Sequence, residues 1–104
     1  MTTSHQNYDP INDYILSKGV RIESLVIHGD RLLFFLNTNQ IMMDSISNYP
    51  RLQKCTNDEL NQFRLISSGM GVHWPTVDED LSLYGLLKDY FIRNIQEQKE
   101  LVIS

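Results

Sequence analysis

The segment VRIESLVIHGDRLLFFLNTNQIMMDSI, residues 20–46, constrains the fold more than any other part of the chain. β-Branched and aromatic residues dominate it, and Gly29-Asp30 separates two apolar runs as a two-residue hairpin turn does. The run from Leu32 to Leu36 is apolar at every position, which is typical of a central strand covered on both faces. A turn at Asn37–Asn39 and a third strand from Gln40 to Asp44 complete a predicted three-stranded antiparallel meander.

A short helix is predicted ahead of the meander. Asp9 is a suitable N-cap, Pro10 suits the first helical position, and Gly19 suits the residue just past the helix end. Ile11, Tyr14 and Ile15 fall on one face at helical spacing, so we expect this helix to dock on the body of the protein by a single stripe.

Two further helices are predicted after the meander. Thr56 followed by Glu59 is a capping-box pattern, which opens a short middle helix. Ser82 can cap a longer helix over residues 83–98, in which two adjacent apolar stripes cover close to half of the circumference. A stripe this broad is typical either of a helix sunk in its own core or of one shared with a partner. The outer stripe consists of Tyr84, Phe91 and Ile95.

These elements predict an α+β fold. An antiparallel sheet, formed by the three-stranded meander plus one or two further strands, is packed with a short N-terminal helix, a short middle helix and a longer C-terminal helix. The further strands are FRLIS, residues 63–67, and MGVHW, residues 70–74. With 104 residues, the chain has the length of one domain.

The composition is that of an acidic globular protein, with 41% hydrophobic residues, 21% charged residues and a formal net charge of −4. The scattered Lys and Arg residues form no basic run, which argues against direct nucleic-acid binding. No apolar segment approaches the roughly 20 residues that cross a bilayer, and no signal sequence opens the chain, so we expect a cytoplasmic protein without a membrane partner. The single cysteine, Cys55, fits a reducing compartment and is interpreted as a small buried apolar residue.

The stretch GMGVHWPTVDEDLSLYGLL, residues 69–87, concentrates the residues that suggest a site. Trp74 precedes Pro75 and must be extended, because the proline ring disfavours the helical region for its predecessor. We therefore expect a strand that ends at the proline. In that strand His73 points to the face opposite Trp74 and is partly exposed.

The acids of this stretch, Asp78, Glu79 and Asp80, favour a structural role. At the start of the last helix they would meet its partial positive charge and free N–H groups, and Asp78 or Asp80 can also accept the indole N–H. The alternative is a small hydrolase or metal-dependent enzyme in which His73 acts beside Asp78 and Asp80. Motifs for a metal site, a phosphate cradle or a serine nucleophile are missing, so no catalytic, cofactor or metal residues are predicted.

The pattern GxGVHWPxxDEDLSxxGLL resembles the hallmark of the small bacterial proteins known as domain of unknown function twenty-four forty-two. Upstream, YPRLQKCTNDELNQFRLI is similar to the Tyr-Pro-Arg-Leu and polar-helix segment of that family, and the resemblance covers residues 20–87. It implies an α+β fold with an antiparallel sheet and no established catalytic activity. It also implies pairing with a second small, toxin-like domain, in which this chain would be the acidic, neutralising member.

The resemblance divides the chain into four expected segments. They are a flexible N-terminus over residues 1–8, an N-terminal helical extension over 9–19, the family core domain over 20–87 and a C-terminal helical extension over 88–104. Both extensions reach beyond the minimal family domain, which makes them candidates for an assembly or binding role.

The leading hypothesis is a non-enzymatic protein-interaction module, either antitoxin-like or a subunit of a larger complex. It would bind a protein partner, basic and toxin-like in the first case, through a sheet edge and the C-terminal helix; a homodimer through that helix is a second arrangement. A transcription regulator is disfavoured, because nothing after residue 88 resembles a helix-turn-helix motif. The candidate partner-binding residues are His73, Trp74, Asp78, Glu79, Asp80, Tyr84, Phe91 and Ile95.

Overall fold

Six strands in two antiparallel sheets and four α-helices make up the computed structural model, which describes the backbone of residues 8–103 and the side chains of residues 8–94. The first sheet has the order β1 (Ile22–His28), β2 (Arg31–Leu36), β3 (Ile41–Ser45), and the second has the order β4 (Arg64–Ile66), β5 (Gly71–Trp74), β6 (Glu79–Ser82). The helices are α1 (Pro10–Lys18), α2 (Pro50–Gln53), α3 (Asn57–Leu60) and α4 (Leu83–Ile103). The predicted α+β class is confirmed, with two three-stranded sheets in place of the single expected one.

The first sheet is the predicted meander. β1 and β2 are joined by the two-residue turn Gly29-Asp30, and each strand pairs antiparallel with the next. One face of the sheet lies on the core, where Leu32 and Phe34 are completely buried. On the opposite face, Leu33 and Phe35 are only half-buried by the described residues. The sequence predicted that both faces of β2 are buried, whereas the described residues bury only one face completely.

Both ends of α1 are capped as the sequence predicts. Asp9 accepts hydrogen bonds from the backbone N–H groups of Ile11 and Asn12, at 3.0 and 3.2 Å, and Gly19 follows the last turn with a φ of 62°. Ile15 is completely buried in the same core as the strands. The helix therefore packs on its own chain.

A hydrogen bond from the Tyr84 hydroxyl to the Asp9 carboxylate ties α4 to α1. This bond, followed by the one from the Asn12 N–H, holds the pKa of Asp9 below its ordinary value, because a donor stabilises the charged carboxylate. Since the folded-state pKa is depressed, the contribution of Asp9 to stability is present above its unfolded-state pKa and is lost as the pH falls through the folded-state value.

The variant Tyr84→Phe is expected to raise the pKa of Asp9 toward its ordinary value, because it removes the main donor to that carboxylate. An NMR titration that follows the carboxyl carbon of Asp9 in both proteins measures this change. An unchanged midpoint would contradict the assigned bond between α4 and α1.

The middle helices begin as predicted. The Thr56 hydroxyl accepts the N–H of Glu59 at 3.1 Å, and the Glu59 carboxylate accepts the N–H of Thr56 at 2.8 Å, which completes the capping box of α3. Pro50 is the first residue of α2. Leu52 in α2 and Leu60 in α3 are buried, so each short helix is held by one apolar anchor in the core.

Trp74, at the end of β5, joins the second sheet to α3. Its side chain is completely buried, its ring centroid lies 6.2 Å from that of Phe63, and its indole N–H donates to the carbonyl oxygen of Leu60 at 2.9 Å. The expectation that Asp78 or Asp80 accepts this N–H is wrong. The indole points into the core, whereas both acids are exposed.

The acids ahead of α4 lie in a turn and a strand. Asp78 has a left-handed backbone with a φ of 53°, and Glu79 and Asp80 begin β6, which pairs with β5. The expectation that they satisfy the N-terminus of α4 is wrong, because β6 continues to Ser82 before the helix begins. The predicted cap is confirmed, since the Ser82 hydroxyl accepts the N–H of Gly85 at 3.0 Å.

The last helix, α4, begins at the predicted residue and extends to Ile103, beyond the predicted end near Gln98. The side chain of Ile95 and, apart from Tyr8, the predicted flexible segment 1–8 lie outside the described residues. Within the described part of the chain, no helix combines the length and the apolarity that crossing a membrane requires. The side chains that bury α4 in the core are Leu83, Leu86 and Leu87.

Candidate interaction groove between β3 and α4

The candidate residues on β5 and β6 do not form one cluster. His73 pairs across the strands with Asp80, and its Nδ1 atom contacts the Asp80 carboxylate. Asp78 lies apart from this pair: its backbone carbonyl accepts a hydrogen bond from Arg51 at 2.9 Å, and its carboxylate makes no ion pair with His73. Trp74 is a core residue and offers no surface to a partner.

The contact between His73 and Asp80 supplies two of the groups that the alternative enzyme hypothesis needs. Candidate nucleophiles include Ser82 and Cys55. The Ser82 hydroxyl accepts the N–H of Gly85 as a helix cap, and burial raises the pKa of the Cys55 thiol, which disfavours its reactive thiolate form. Among the described side chains, no three His, Cys, Asp or Glu residues come close enough together to hold a metal ion. The contact is of the cross-strand kind that stabilises a sheet; Glu79, the next residue back along β6, is half-buried opposite the tryptophan.

Tyr84 and Phe91, the candidate residues on α4 whose side chains the structure describes, are partly covered by α1. Tyr84 is half-buried and donates to Asp9. Phe91 packs edge-to-face on Tyr14, with ring centroids 6.5 Å apart, and keeps 38% of its surface exposed. Tyr84 and Phe91 therefore each make a contact with α1 and leave the rest of their surface to solvent.

A groove runs between the edge strand β3 and α4. It consists of cavities of about 230, 280 and 270 Å³ that follow one another along β3. Ile41 and Tyr90 line both the first and the second cavity, and Arg93 lines both the second and the third. We call this feature the β3–α4 groove.

The β3–α4 groove follows the edge of the first sheet rather than one of its faces. Successive side chains of a strand point to opposite faces, yet Ile41 and Met43 of one face and Met42 and Asp44 of the other all line cavities shared with α4. Since β3 is the last strand of its sheet, its far side is unpaired in the described structure. α4 forms the opposite wall.

One end of the groove is apolar. Ile41 and Met43 on β3 are 57% and 49% exposed, and Tyr90 on α4 is 40% exposed. Tyr14 of α1 and Phe91 also line this end. Contiguous exposed apolar side chains of this kind are typical of interaction sites.

The other end of the groove is polar and is organised by Asp44, which is buried. Its carboxylate accepts hydrogen bonds from the Asn48 amide at 2.7 Å, from the Ser45 N–H at 2.8 Å and from the Tyr49 hydroxyl. Burial, together with the bond to Asp44, raises the pKa of Tyr49, so this phenol stays protonated and donates. Arg93 reaches from α4 to within 4.0 Å of the Asp44 carboxylate.

Sequence reasoning identified the helix wall of the groove through Phe91 and missed the strand wall. The available signal was the run Ile41-Met42-Met43, which places apolar side chains on both faces of a strand although it lies in the last strand of the meander. Asp44 and Tyr49 carried no such signal, because their bond depends on the 3₁₀ turn at residues 46–48 that brings the phenol back to the carboxylate.

Two solved structures are similar to this fold. A protein of unknown function from Rhodospirillum rubrum ATCC 11170 is 25% identical, with a TM-score of 0.61 over 67% of this chain and 87% of that one. An uncharacterized protein from Chromobacterium violaceum is 19% identical, with a TM-score of 0.61 over 85% of this chain and 79% of that one. No protein of curated function is significantly similar in sequence.

The sequence profile of a family described as "Protein of unknown function (DUF2442)" matches residues 22–91. The match runs from the start of β1 into α4 and therefore includes all of β3 and the helix residues Tyr90 and Phe91. It covers more than half of the chain, and the chain therefore belongs to the DUF2442 family of proteins of unknown function.

Proposed function

We propose that this chain is a non-enzymatic protein-interaction module that binds a protein partner in the β3–α4 groove, through the edge of the first sheet and the C-terminal helix. The observation that carries the proposal is the position of exposed Ile41 and Met43 opposite exposed Tyr90 on the facing helix. These two residues lie on a strand with one side that no described residue pairs. Membership of a family without an assigned activity is consistent with this role.

The chemistry of the groove favours a partner with apolar contact residues and a basic character. Removing apolar surface from water favours association by about 25 cal/mol per Å², and tyrosine is enriched among the residues that dominate interface energetics. The net charge of −4 attracts a basic protein over long range. An antitoxin-like protein that neutralises a basic toxin in the cytoplasm, or a subunit of a larger cytoplasmic complex, would use such a surface.

The variant Tyr90→Asp tests the proposal, because it places a charge in the apolar contact. Tagged wild-type and variant chains are used to capture companions from the native host, and the bound proteins are quantified by mass spectrometry. We expect the variant to retain at least about tenfold less of the specific companion. The matched control is Leu16→Asp on α1, a 65% exposed apolar residue outside the lining of the groove, which should capture as the wild type does.

Two outcomes of this experiment contradict the proposal. A companion captured equally by wild type and Tyr90→Asp would place the binding surface elsewhere. A wild-type chain without a specific companion under any growth condition would remove the proposed role.

A second copy of the chain is the competing occupant of this surface. Light scattering on wild type and on Phe91→Asp separates the two cases, and we expect a monomer mass for both proteins. A dimeric wild type that becomes monomeric in Phe91→Asp would assign the exposed face of α4 to self-association instead.

A further inference from the structure

We propose that the partner contributes an extended segment, which adds to β3 as a fourth strand of the first sheet. This inference rests on the proposed function and specifies the partner. The segment carries apolar side chains at alternate positions and a lysine or arginine at the end that lies beside Asp44 and Asp89.

Backbone groups on the open side of β3 are available for this pairing. The N–H of Leu36 donates to the carbonyl of Gln40 at 2.9 Å, which makes these residues a hydrogen-bonded pair of the β2–β3 ladder. In an antiparallel ladder such pairs alternate with non-bonded ones, so the N–H and C=O groups of Ile41 and Met43 point away from β2. No hydrogen bond joins these groups to another residue in the described part of the chain. They offer donors and acceptors at the two-residue spacing that an added strand needs.

The other edge strands carry a bulge, a short length or an exposed charge, and β3 has none of these three features. β1 has a bulge near its start and an exposed Glu23, β4 has only three residues, and β6 carries an exposed Asp80. Bulges, short length and edge charges are among the means by which sheets avoid unwanted strands. β3 exposes Ile41 and Met43 and pairs with β2 without a bulge. Its single charged residue, Asp44, faces inward, which is also a protective device, but its carboxylate is engaged by Ser45, Asn48 and Tyr49. At Ile41 and Met43 the edge therefore presents neither a bulge nor an exposed charge to an added strand.

The helix α4 gives the added strand a second wall. Neighbouring strands lie about 4.8 Å apart and point successive side chains to opposite sides. The cavities of about 230 and 280 Å³ between Ile41 and the wall formed by Tyr90 and Phe91 receive the alternate apolar side chains of the segment. Strand addition, in which main-chain bonds supply affinity and pockets supply specificity, is an established mode of peptide recognition.

Charge selects the residue at the polar end of the segment. The cavity there, of about 270 Å³, is lined by Asp44 and Asp89, with Arg93 as the cation among its lining residues. Two carboxylates against one guanidinium leave a net negative charge, and Asp44 is already satisfied by the neutral donors around it. Exposed Asp89 is therefore the partner that a lysine or arginine of the segment would meet.

Peptides selected on the full chain from a random display library test the inference, with affinity measured by fluorescence anisotropy. We expect apolar residues at alternate positions and a basic residue at one end. Methylation of single backbone nitrogens is the decisive measurement, because it removes one donor at a time. Affinity should fall about tenfold at every second position, where the N–H pairs with β3, and should stay unchanged at the positions between.

A charge exchange tests the polar end of the segment. Asp89→Lys should weaken the peptide with the basic end about tenfold, and it should restore binding to the same peptide carrying glutamate there. Leu16→Asp should bind both peptides as the wild type does.

Two results overturn the inference in distinguishable ways. Peptides with apolar residues at helical spacing, whose binding is lost in Tyr90→Asp but lacks the two-residue periodicity of methylation, would exclude strand addition and leave the proposed function standing. Peptides that bind equally to wild type and Tyr90→Asp, or a selection that enriches none, would count against both.

Discussion

Replacing Trp74 with alanine is expected to lower the free energy of unfolding by about 3–5 kcal/mol, the range for truncation of a large aromatic residue in a core. The side chain is completely buried, so its removal leaves a cavity beside Phe63 and deprives the Leu60 carbonyl of its donor. A domain of this size has a total stability of about 5–15 kcal/mol, so the variant loses a large fraction of it. Urea denaturation followed by circular dichroism measures the change.

The variant Trp74→Phe is the matched control, because it keeps most of the apolar volume and removes the N–H donor. Leaving the buried Leu60 carbonyl unpaired costs about 1–3 kcal/mol, so we expect a smaller loss than for alanine. A denaturation midpoint of Trp74→Ala equal to that of the wild type would contradict the core position of the ring. It would also restore this residue as a candidate for partner binding.

The second large effect is expected for Gly69→Ala. Gly69 has a φ of 92°, and a Cβ atom at this position would lie 2.5 Å from the carbonyl oxygen of Ile22. A left-handed backbone costs an L-residue about 1–2 kcal/mol, and overpacking against the start of β1 adds about 1–3 kcal/mol. Because Gly69 lies just ahead of β5, this close approach brings the segment between β4 and β5 against the start of β1 in the first sheet.

The matched control for this prediction is Gly29→Ala. Gly29 also has a positive φ, 60°, but a Cβ atom there would meet nothing within 4 Å. We therefore expect only the backbone cost of about 1–2 kcal/mol. Urea denaturation of both variants separates the two contributions, and equal losses would contradict a tight contact between the sheets at Gly69.

Predictions from the sequence were most accurate where the controlling interaction is local. The hairpin turn Gly29-Asp30, the cap at Asp9 and the capping box of Thr56 and Glu59 each depend on residues within a few positions of one another. Backbone and side-chain hydrogen bonds of this range form with the same geometry in most proteins. These features therefore appear where the residue pattern places them.

The acids before α4 show how a tertiary contact overrides a local preference. Asp78, Glu79 and Asp80 suit a helix N-terminus, and nothing within a few residues opposes that arrangement. Pairing with β5 takes residues 79–82 into a strand instead, and buries Leu81 on the core. A strand of four residues shows too little alternation of apolar and polar side chains to be predicted against three consecutive acids, which favour a helix N-terminus.

The turn between β4 and β5 lies between the two strands predicted at 63–67 and 70–74, but its left-handed backbone at two serines was beyond local reasoning. Ser67 and Ser68 have φ values of 52° and 55°, a conformation that non-glycine residues rarely adopt. The close contact of Gly69 with the carbonyl of Ile22, made by a strand more than forty positions away in the chain, accompanies this turn. Ser68-Gly69 is a turn signal in the sequence, whereas nothing in the neighbouring residues indicates the positive φ of the two serines.

Residue pattern alone was sufficient for the α+β class, the meander, the helix caps and an amphipathic last helix, because periodicity and capping act over a few residues. The separation into two sheets, the burial of Trp74 and the groove along β3 depended on packing. Ile41 and Tyr90 are nearly fifty positions apart, and only the folded chain sets the space between them. The sequence therefore predicted one wall of the candidate site, the helix wall, through its apolar periodicity. The strand wall could not be predicted, because it exists only where the folded chain places α4 beside the edge of β3 that no described residue pairs.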